Sequence, residues 1–206
     1  MKTIYLLSFG LLVLSHGLFA QRLSPQIGLN GVPLFDKTVE VNATVLRTPE
    51  YEIFLHGGYS FPRNYLKNKN DFEWQYWEGK SSGAYLRVGG RAFLNSNRKF
   101  RMFLGVQLTE SYLKQSGTNY HVIECIVAPC YPLESAAAKK TNALSAGITG
   151  GFRSNLASRL SLDLGIQANT YVFEKPDLLN NMVYVPGVGR KPVQGVASIQ
   201  YTLKGR

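Results

Sequence analysis

Residues Asn142–Val172 read NALSAGITGGF, RSNLAS and RLSLDLGIQANTYV, and this stretch decides the fold. In its last segment the apolar residues Leu160, Leu162, Leu164, Ile166 and Ala168 alternate with Ser161, Asp163, Gly165, Gln167 and Asn169. Such alternation predicts a β-strand with one apolar and one polar face. The first segment alternates as well, and residues 153–158 supply a short polar reversal. The stretch therefore predicts a β-hairpin whose arms could each cross a bilayer, which takes about 9–11 tilted residues. A soluble β-sandwich alternates too, so the hairpin alone does not decide between the two.

The first twenty residues, Met1–Ala20, have the organisation of a secretory signal peptide. Lys2 supplies the positive start, and an apolar run over Ile4–Leu14 follows. That run is shorter than the roughly 20 apolar residues that a membrane-spanning helix needs, which disfavours a helical anchor. We therefore expect an exported chain in which residues 21–206 form a single domain.

The composition narrows the class of protein and its partners. Hydrophobic residues make up 45% of the chain and aromatic residues 12%, which is too apolar for a disordered protein. The formal net charge is +10. An exported basic chain rarely meets nucleic acid, so the expected counter-charge is an anionic membrane surface such as the phosphates of lipopolysaccharide.

The alternation continues along the chain and predicts eight strands, at 26–32, 38–47, 51–61, 83–94, 100–112, 142–152, 160–172 and 193–204. Short connections at 48–50, 95–99 and 153–158 alternate with long ones at 62–82, 113–141 and 173–192. Short turns at one end and long loops at the other are typical of outer-membrane barrels. The first connection, 33–37, falls on the long-loop side but is short.

The distribution of charge between the two strand faces favours a membrane barrel over a water-soluble one. The polar face carries charged residues, namely Glu40, Glu52, Arg87, Arg91, Arg101, Asp163 and Lys204, while the apolar face has almost none. If the apolar face contacts lipid and the polar face lines the lumen, charged residues are expected on the polar face and are excluded from the apolar face. Aromatic residues near strand ends, such as Tyr51, Phe61 and Tyr201, suit the membrane interfaces.

With its signal, eight alternating strands, three long loops and a last strand ending in IQYTLKGR, the chain resembles small outer-membrane β-barrel proteins of Gram-negative bacteria, of the outer-membrane protein A/X type. The resemblance implies an all-β fold, an eight-stranded antiparallel up-and-down transmembrane β-barrel, in the cell outer membrane. It also implies contact with outer-membrane lipid and lipopolysaccharide, and insertion by the barrel-assembly machinery. Many such barrels end on an aromatic residue, whereas this chain continues past Tyr201 to Arg206.

The polar-face charges are the first candidate site. Glu40, Glu52, Arg87, Arg91, Arg101 and Asp163 are expected to form an ion-pair network in the lumen. A gated pore or a ligand site is the competing interpretation. The network is favoured because an eight-stranded barrel leaves an interior only wide enough for side chains.

Two histidines are the candidates for catalysis. His56 lies on a polar strand face, and His121 has Ser111, Ser116, Glu110 and Glu124 near it in sequence. A Ser/His/Glu site would fit the lipid A deacylases of this architecture, and a deacylase- or acyltransferase-like enzyme is the alternative function. No nucleophile-elbow motif is present, so no residue is assigned a catalytic role. No metal or cofactor motif is found either.

The long connections hold two further candidates. Trp74, Tyr76 and Trp77 would form either an exposed contact patch or an anchor at the lipid headgroups. Cys125 and Cys130 are expected to form a disulfide, because export exposes them to oxidation. The expected function is a structural or surface-interaction role with the loops as contact surface and an extracellular partner that the sequence does not name. A narrow pore or a periplasmic lipocalin-like binding barrel would also fit the strand pattern.

Overall fold

The chain forms a closed barrel of eight antiparallel strands, each hydrogen-bonded to the next, with the first paired to the last. The computed structural model describes residues 25–65, 75–95, 99–121, 133–173, 176–179 and 183–203. The strands are β1 (Gln26–Asn30), β2 (Thr38–Arg47), β3 (Tyr51–Tyr65), β4 (Gln75–Phe93), β5 (Phe100–His121), β6 (Leu133–Asn155), β7 (Leu160–Tyr171) and β8 (Val193–Thr202). The predicted up-and-down barrel is confirmed. The predicted signal peptide, Met1–Ala20, lies outside the described residues.

The hairpin that decides the fold is formed by β6 and β7, with Arg153 opposite Asp163 and Phe152 opposite Leu164. Along β7 the polar side chains of Asp163 and Gln167 are buried. Because successive residues of a strand face opposite sides, Leu164 and Ile166 lie on the outside, where they are 37% and 63% exposed. The orientation predicted for this strand is therefore the one that the structure has.

The barrel as a whole has an apolar exterior and a polar interior. Val106 on β5 is 65% exposed and Leu29 on β1 is 60% exposed, whereas Glu40, Glu52 and Arg87 are at most 1% exposed. An apolar surface of this kind is unfavourable in water but favourable in contact with lipid. In addition, a closed barrel pairs the backbone hydrogen-bonding groups of its strands with each other, as the interior of a bilayer requires. The chain is thus a transmembrane β-barrel. Among the described residues, no helix has the length and apolar character needed to cross a bilayer.

Four strands are longer than the sequence predicted. Residues 62–65 and 75–82, which were expected in a loop, belong to β3 and β4, and most of the connection at 113–141 belongs to β5 and β6. These polar residues lie where the strands leave the membrane, but the hydrogen bonding between the strands continues through them. The 22 residues of β5 span roughly 70 Å, more than twice the ~30 Å of hydrocarbon in a bilayer. We call residues 75–82, 114–121 and 133–142 of β4, β5 and β6 the arm.

The connections differ from expectation at two further places. Val32 belongs to a short 3-10 helix, Val32–Asp36, which fills the first connection instead of continuing β1. The turn after β6 begins later than predicted, because Arg153 and Asn155 are still paired with β7. This second correction moves a charged side chain from a turn into the barrel wall, with its side chain directed into the lumen.

Candidate functional site

The end of the lumen nearest the short turns holds a cluster of two carboxylates and two guanidinium groups, Glu52, Arg91, Arg153 and Asp163, which we call the lower cluster. Arg153 donates from Nη1 to Glu52 Oε2 at 2.8 Å and from Nε to Asp163 Oδ1 at 2.6 Å. Arg91 donates to Asp163 Oδ2 at 2.6 Å and also to Glu52. The four charges cancel, and they link β3, β4, β6 and β7 across the interior.

The remaining hydrogen-bonding capacity of the lower cluster is met by two glutamines. Arg153 donates to Gln200 Oε1 at 2.7 Å and to Gln26 Oε1 at 3.2 Å, while the Gln200 amide donates to Asp163 at 2.9 Å. A buried ion pair offsets its desolvation cost only when such additional bonds are made. The cluster is therefore a satisfied network that fills this part of the lumen with side chains.

Nearer the long-loop end, Glu40 is the centre of a second group with His56, Tyr85 and Arg87, which we call the upper cluster. Glu40 lies 3.4 Å from Arg87 Nη1 and 3.0 Å from His56 Nδ1, and it accepts a hydrogen bond from the Tyr85 hydroxyl. Asn30 donates to the same carboxylate at 3.0 Å. Glu40 and Arg87 are each 1% exposed, so the pair is isolated from water.

Within the segment between β7 and β8, residues 183–189 lie in the mouth of the barrel, which corrects the expectation that 173–192 is an external loop throughout. We call Val183–Gly189 the mouth plug. Its carbonyls accept hydrogen bonds from lumen side chains, from Arg87 to Gly187 at 2.6 Å and from Ser111 to Pro186 at 2.6 Å. Gly187 has a φ of +73°, which favours glycine, and a Cβ there would meet the ring of Tyr85.

An apolar core holds the mouth plug in place. Trp77 and Leu113, 1% and 2% exposed, pack with Val183, Val185 and Val188 of the plug. This burial corrects the interpretation of Trp77 as part of an exposed patch. Tyr76 is paired with Tyr120 through its backbone, and Trp74 lies outside the described residues. Because Trp77 faces inward from the arm, it contributes to closing the mouth and not to an outer contact surface.

Arg101 does not join the lumen network that the sequence predicted for it. Its side chain donates to the backbone carbonyl of Pro49 in a short turn, and its guanidinium lies 3.6 Å from the ring centroid of Phe93. It stands one residue inside the start of β5, too near the barrel end to reach the carboxylates. Arg153, which sequence reasoning placed in a turn, occupies the position between the two carboxylates. Its place on the same strand face as Thr149, alternating with Ile148 and Phe152 on the other face, was the signal that could have found it.

The two candidate histidines lie in different parts of the barrel. His56 lies in the lumen beside Glu40, with its ring 4.7 Å from that of Phe54. His121 is the last residue of β5, so the ten residues back to Ser111 extend over roughly 33 Å. Ser111 points inward, while Glu110 and Ser116 are exposed on the outside. Within the part of the chain that the structure describes, the Ser/His/Glu arrangement of the alternative function is not formed at His121, and Glu124 lies outside that part.

Beneath the 3-10 helix, a cavity of about 350 Å³ opens at the mouth. Its lining includes two acidic residues, Asp36 and Glu40, and four basic residues, Arg63, Arg87, Arg190 and Lys191. Asp36 accepts hydrogen bonds from Arg63 at 2.6 Å and from Arg190 at 3.2 Å. The lining therefore pairs most of its own charges. No cluster of His, Cys, Asp or Glu in the described ranges is placed to hold a metal ion, and Cys125 and Cys130 lie outside those ranges, so their disulfide stays a prediction.

No protein-family model matches the chain, and no curated protein matches it. Among solved structures, it is similar to the N-terminal β-barrel domain of OprF from Pseudomonas aeruginosa, at 12% identity and a TM-score of 0.44 over 87% of this chain and 97% of that one. It is similar to Neisserial surface protein A at 11% identity and a TM-score of 0.46, covering 87% and 94% of the two chains. The attachment invasion locus protein of Yersinia pestis is similar at 8% identity and a TM-score of 0.39, with 87% and 93% covered.

Proposed function

We propose that this chain is an outer-membrane barrel with a closed lumen, which serves as a structural or surface-interaction scaffold and does not conduct. The observation that carries the proposal is the filling of the lumen. The lower cluster crosses the interior near the short-turn end, and the mouth plug is bonded to Arg87 and Ser111 near the other end. An eight-stranded barrel has little room beyond its own side chains, so these two features together support a lumen that is closed to water.

The lipocalin-like alternative requires the opposite distribution of polarity. A periplasmic binding barrel would present a polar surface to water and an apolar cavity to its ligand. Here Ile166 and Val106 are more than 60% exposed on the outside, and Gln107, Gln167 and Asn169 are buried inside. This distribution supports a barrel that lipid surrounds. Outer-membrane location and insertion by the barrel-assembly machinery are parts of the same proposal, motivated by the predicted signal peptide and the strand pattern.

Lipopolysaccharide is the proposed lipid partner. Lys114 of β5 is directly opposite Lys140 of β6, and both are exposed on the outer face of the arm. Lys114 lies two residues beyond the half-exposed aromatic ring of Tyr112, which suits the membrane interface. Two positive charges directly opposite each other destabilise the pairing of their strands unless an anion lies between them. A lipopolysaccharide phosphate is such an anion, and Lys114→Ser should weaken binding of purified protein to lipopolysaccharide without changing barrel formation.

Conductance of purified protein in planar lipid bilayers tests the closed lumen. The expected result is an absence of discrete current steps from the wild type at about ±100 mV, a voltage of the size found across cell membranes. Steady single-channel steps would overturn the scaffold proposal and favour the pore. A porin of established conductance, measured in the same bilayers, is the positive control.

A further inference from the structure

In the part of the chain that the structure describes, no strand is paired with one edge of β6, and the neighbouring residue Asp177 contacts only side chains there, those of Thr141 and Lys139. The ladder between β6 and β7 reaches Ser145 opposite Tyr171, and the amide of Val172 adds a last bond to the carbonyl of Leu144 at 3.0 Å. On its other side β6 remains paired with β5 as far as Leu133 opposite His121. We call residues 134–142 of β6, on the side away from β5, the free edge.

The backbone groups that point out of this edge are known from the alternation of the ladder. Since the Leu144 carbonyl points toward β7 and the register with β5 has no bulge, every second residue before Leu144 directs its N–H and C=O the same way. These residues are Glu134, Ala136, Ala138, Lys140 and Asn142. An exposed row of unpaired backbone groups is a template for another extended chain.

We infer that the free edge pairs, antiparallel, with the free edge of a second copy of this chain, with Ala137 at the centre opposite the second copy's Ala137. In this register Glu134 is opposite the second copy's Lys140, and Ala136 is opposite the second copy's Ala138. Glu134, Ala136, Ala138 and Lys140 all have outward backbone groups, so the pairing forms about eight inter-chain hydrogen bonds. The inference deepens the proposed surface-interaction role and rests on it.

The charges favour a second copy over an unrelated strand. Glu134 and Lys140 are both exposed and lie on the same face of β6, three positions on either side of Ala137. Antiparallel self-pairing therefore creates two opposite-charge cross-strand pairs, which stabilise a sheet. The incoming Glu134 also lies beside Lys140, which otherwise stands next to Lys114 across the β5–β6 ladder. The three central residues, 136–138, are alanines, whose small side chains limit crowding between the two arms.

The symmetry of this pairing places the two barrels in facing membranes. Even-numbered residues of one copy are paired with even-numbered residues of the other, so equivalent side chains lie on the same face of the joined sheet. The two-fold axis is therefore perpendicular to the sheet. Because the paired strands are antiparallel, the two barrels point in opposite directions. The arm has the reach that such a contact needs. Beyond Glu110, an exposed charge on the outer face, β5 continues to His121 over roughly 36 Å of extended chain.

Clustering of phospholipid vesicles free of lipopolysaccharide, each carrying the purified full barrel, tests the inference. Wild-type vesicles should cluster, and vesicles with Glu134→Lys alone or Lys140→Glu alone should cluster at least tenfold more slowly. A mixture of the two variant populations should cluster again, because each lysine then meets a glutamate. Failure of wild-type vesicles to cluster, or failure of the mixture to recover, would overturn the proposed pairing.

A cysteine at the two-fold axis gives a second readout. In a Cys125→Ser, Cys130→Ser background, Ala137→Cys should form a disulfide-linked dimer between clustered vesicles, since opposed residues at a non-hydrogen-bonded position have Cα atoms about 4.5 Å apart. Ala143→Cys, on the same face of β6 but outside the register, should stay monomeric. Equal cross-linking of the two variants would contradict the register. Heat-modifiable migration of each variant on a gel separates loss of pairing from loss of the barrel on which the proposed function depends.

Discussion

Arg153 of β6 and Glu52 of β3, separated by two strands in the barrel wall, meet in the lumen through hydrogen bonds of 2.8 and 3.1 Å. The guanidinium also donates to Asp163 of β7, so one side chain of β6 binds the carboxylates of two other strands. The interior of this barrel is therefore held by charge, in the place where a water-soluble barrel would have an apolar core. Three carboxylates and three guanidinium groups are buried there, namely Glu40, Glu52, Asp163, Arg87, Arg91 and Arg153.

Removing Arg153 should be among the most destabilising single changes in the barrel. Arg153→Met keeps much of the volume of the side chain but leaves Glu52 and Asp163 with Arg91 as their remaining cation. Breaking a buried ion pair from one side costs about 3–5 kcal/mol. Urea unfolding of the refolded barrel in lipid vesicles measures the loss. Arg101→Met, at the strand end, should cost less than about 1 kcal/mol, and an equal loss for both variants would contradict the assignment of Arg153 as the centre of the network.

The lipid-facing assignment of β7 predicts a loss of stability that depends on depth in the membrane. Leu164→Arg places a charge in the hydrocarbon and should destabilise the barrel by about 2–4 kcal/mol. Leu203→Arg is the matched control, because Leu203 has the same 37% exposure but lies at the end of the barrel. Its cost should be about 0–1 kcal/mol. The same unfolding experiment measures both, and Leu164→Arg unfolding like the wild type would exclude lipid contact at this residue.

Trp77 should control the mouth plug. Trp77→Ala opens a void against Val183, Val185 and Val188, and truncating a buried aromatic residue costs about 3–5 kcal/mol. Because the transmembrane strands do not depend on this core, the loss should appear locally, as faster amide exchange or proteolysis within the plug. Tyr112→Ala, at a half-exposed position beside Leu113, is the control and should leave plug protection unchanged. Unchanged protection in Trp77→Ala would show that the apolar core does not hold the plug.

The alternation of apolar and polar residues was enough to predict the eight strands, the barrel and the inward side of β7, because period two is the direct consequence of strand geometry. It could not predict the arm. Once β5 leaves the membrane, residues such as Lys114 and Gln115 no longer show an apolar and a polar face, although the ladder continues through them. The plug was unpredictable for a similar reason. Its valines form one short run, and only the tertiary fold brings them against Trp77.

The lumen network shows the same limit at single residues. Strand parity places Glu40, Glu52, Arg87, Arg91 and Asp163 on the inside, and this much follows from the sequence. Which charges meet depends on the height of each residue along the barrel, and that height is set by the register between strands. Arg101 is therefore on the expected face of its strand, but it lies too near the end of the barrel to reach the buried carboxylates. Arg153 was missed because it comes directly before a polar turn.

The predicted disulfide between Cys125 and Cys130 should be present and should be independent of barrel stability. The two residues are in an exported chain and close in sequence, within the connection between β5 and β6. Thiol labelling of freshly isolated protein should find no free thiol before reduction and two after it. The Cys125→Ser, Cys130→Ser variant should unfold at the temperature of the wild type. Two reactive thiols before reduction would exclude the bond, and a large fall in melting temperature would place the pair in the barrel wall.

The migration of unboiled and boiled protein on a denaturing gel, after extraction of the membrane fraction at alkaline pH, tests the transmembrane barrel most directly. A barrel closed by the β1–β8 ladder and embedded in lipid should stay in the membrane pellet and run faster before boiling than after it. Release into the soluble fraction without detergent, together with identical migration before and after boiling, would contradict the account.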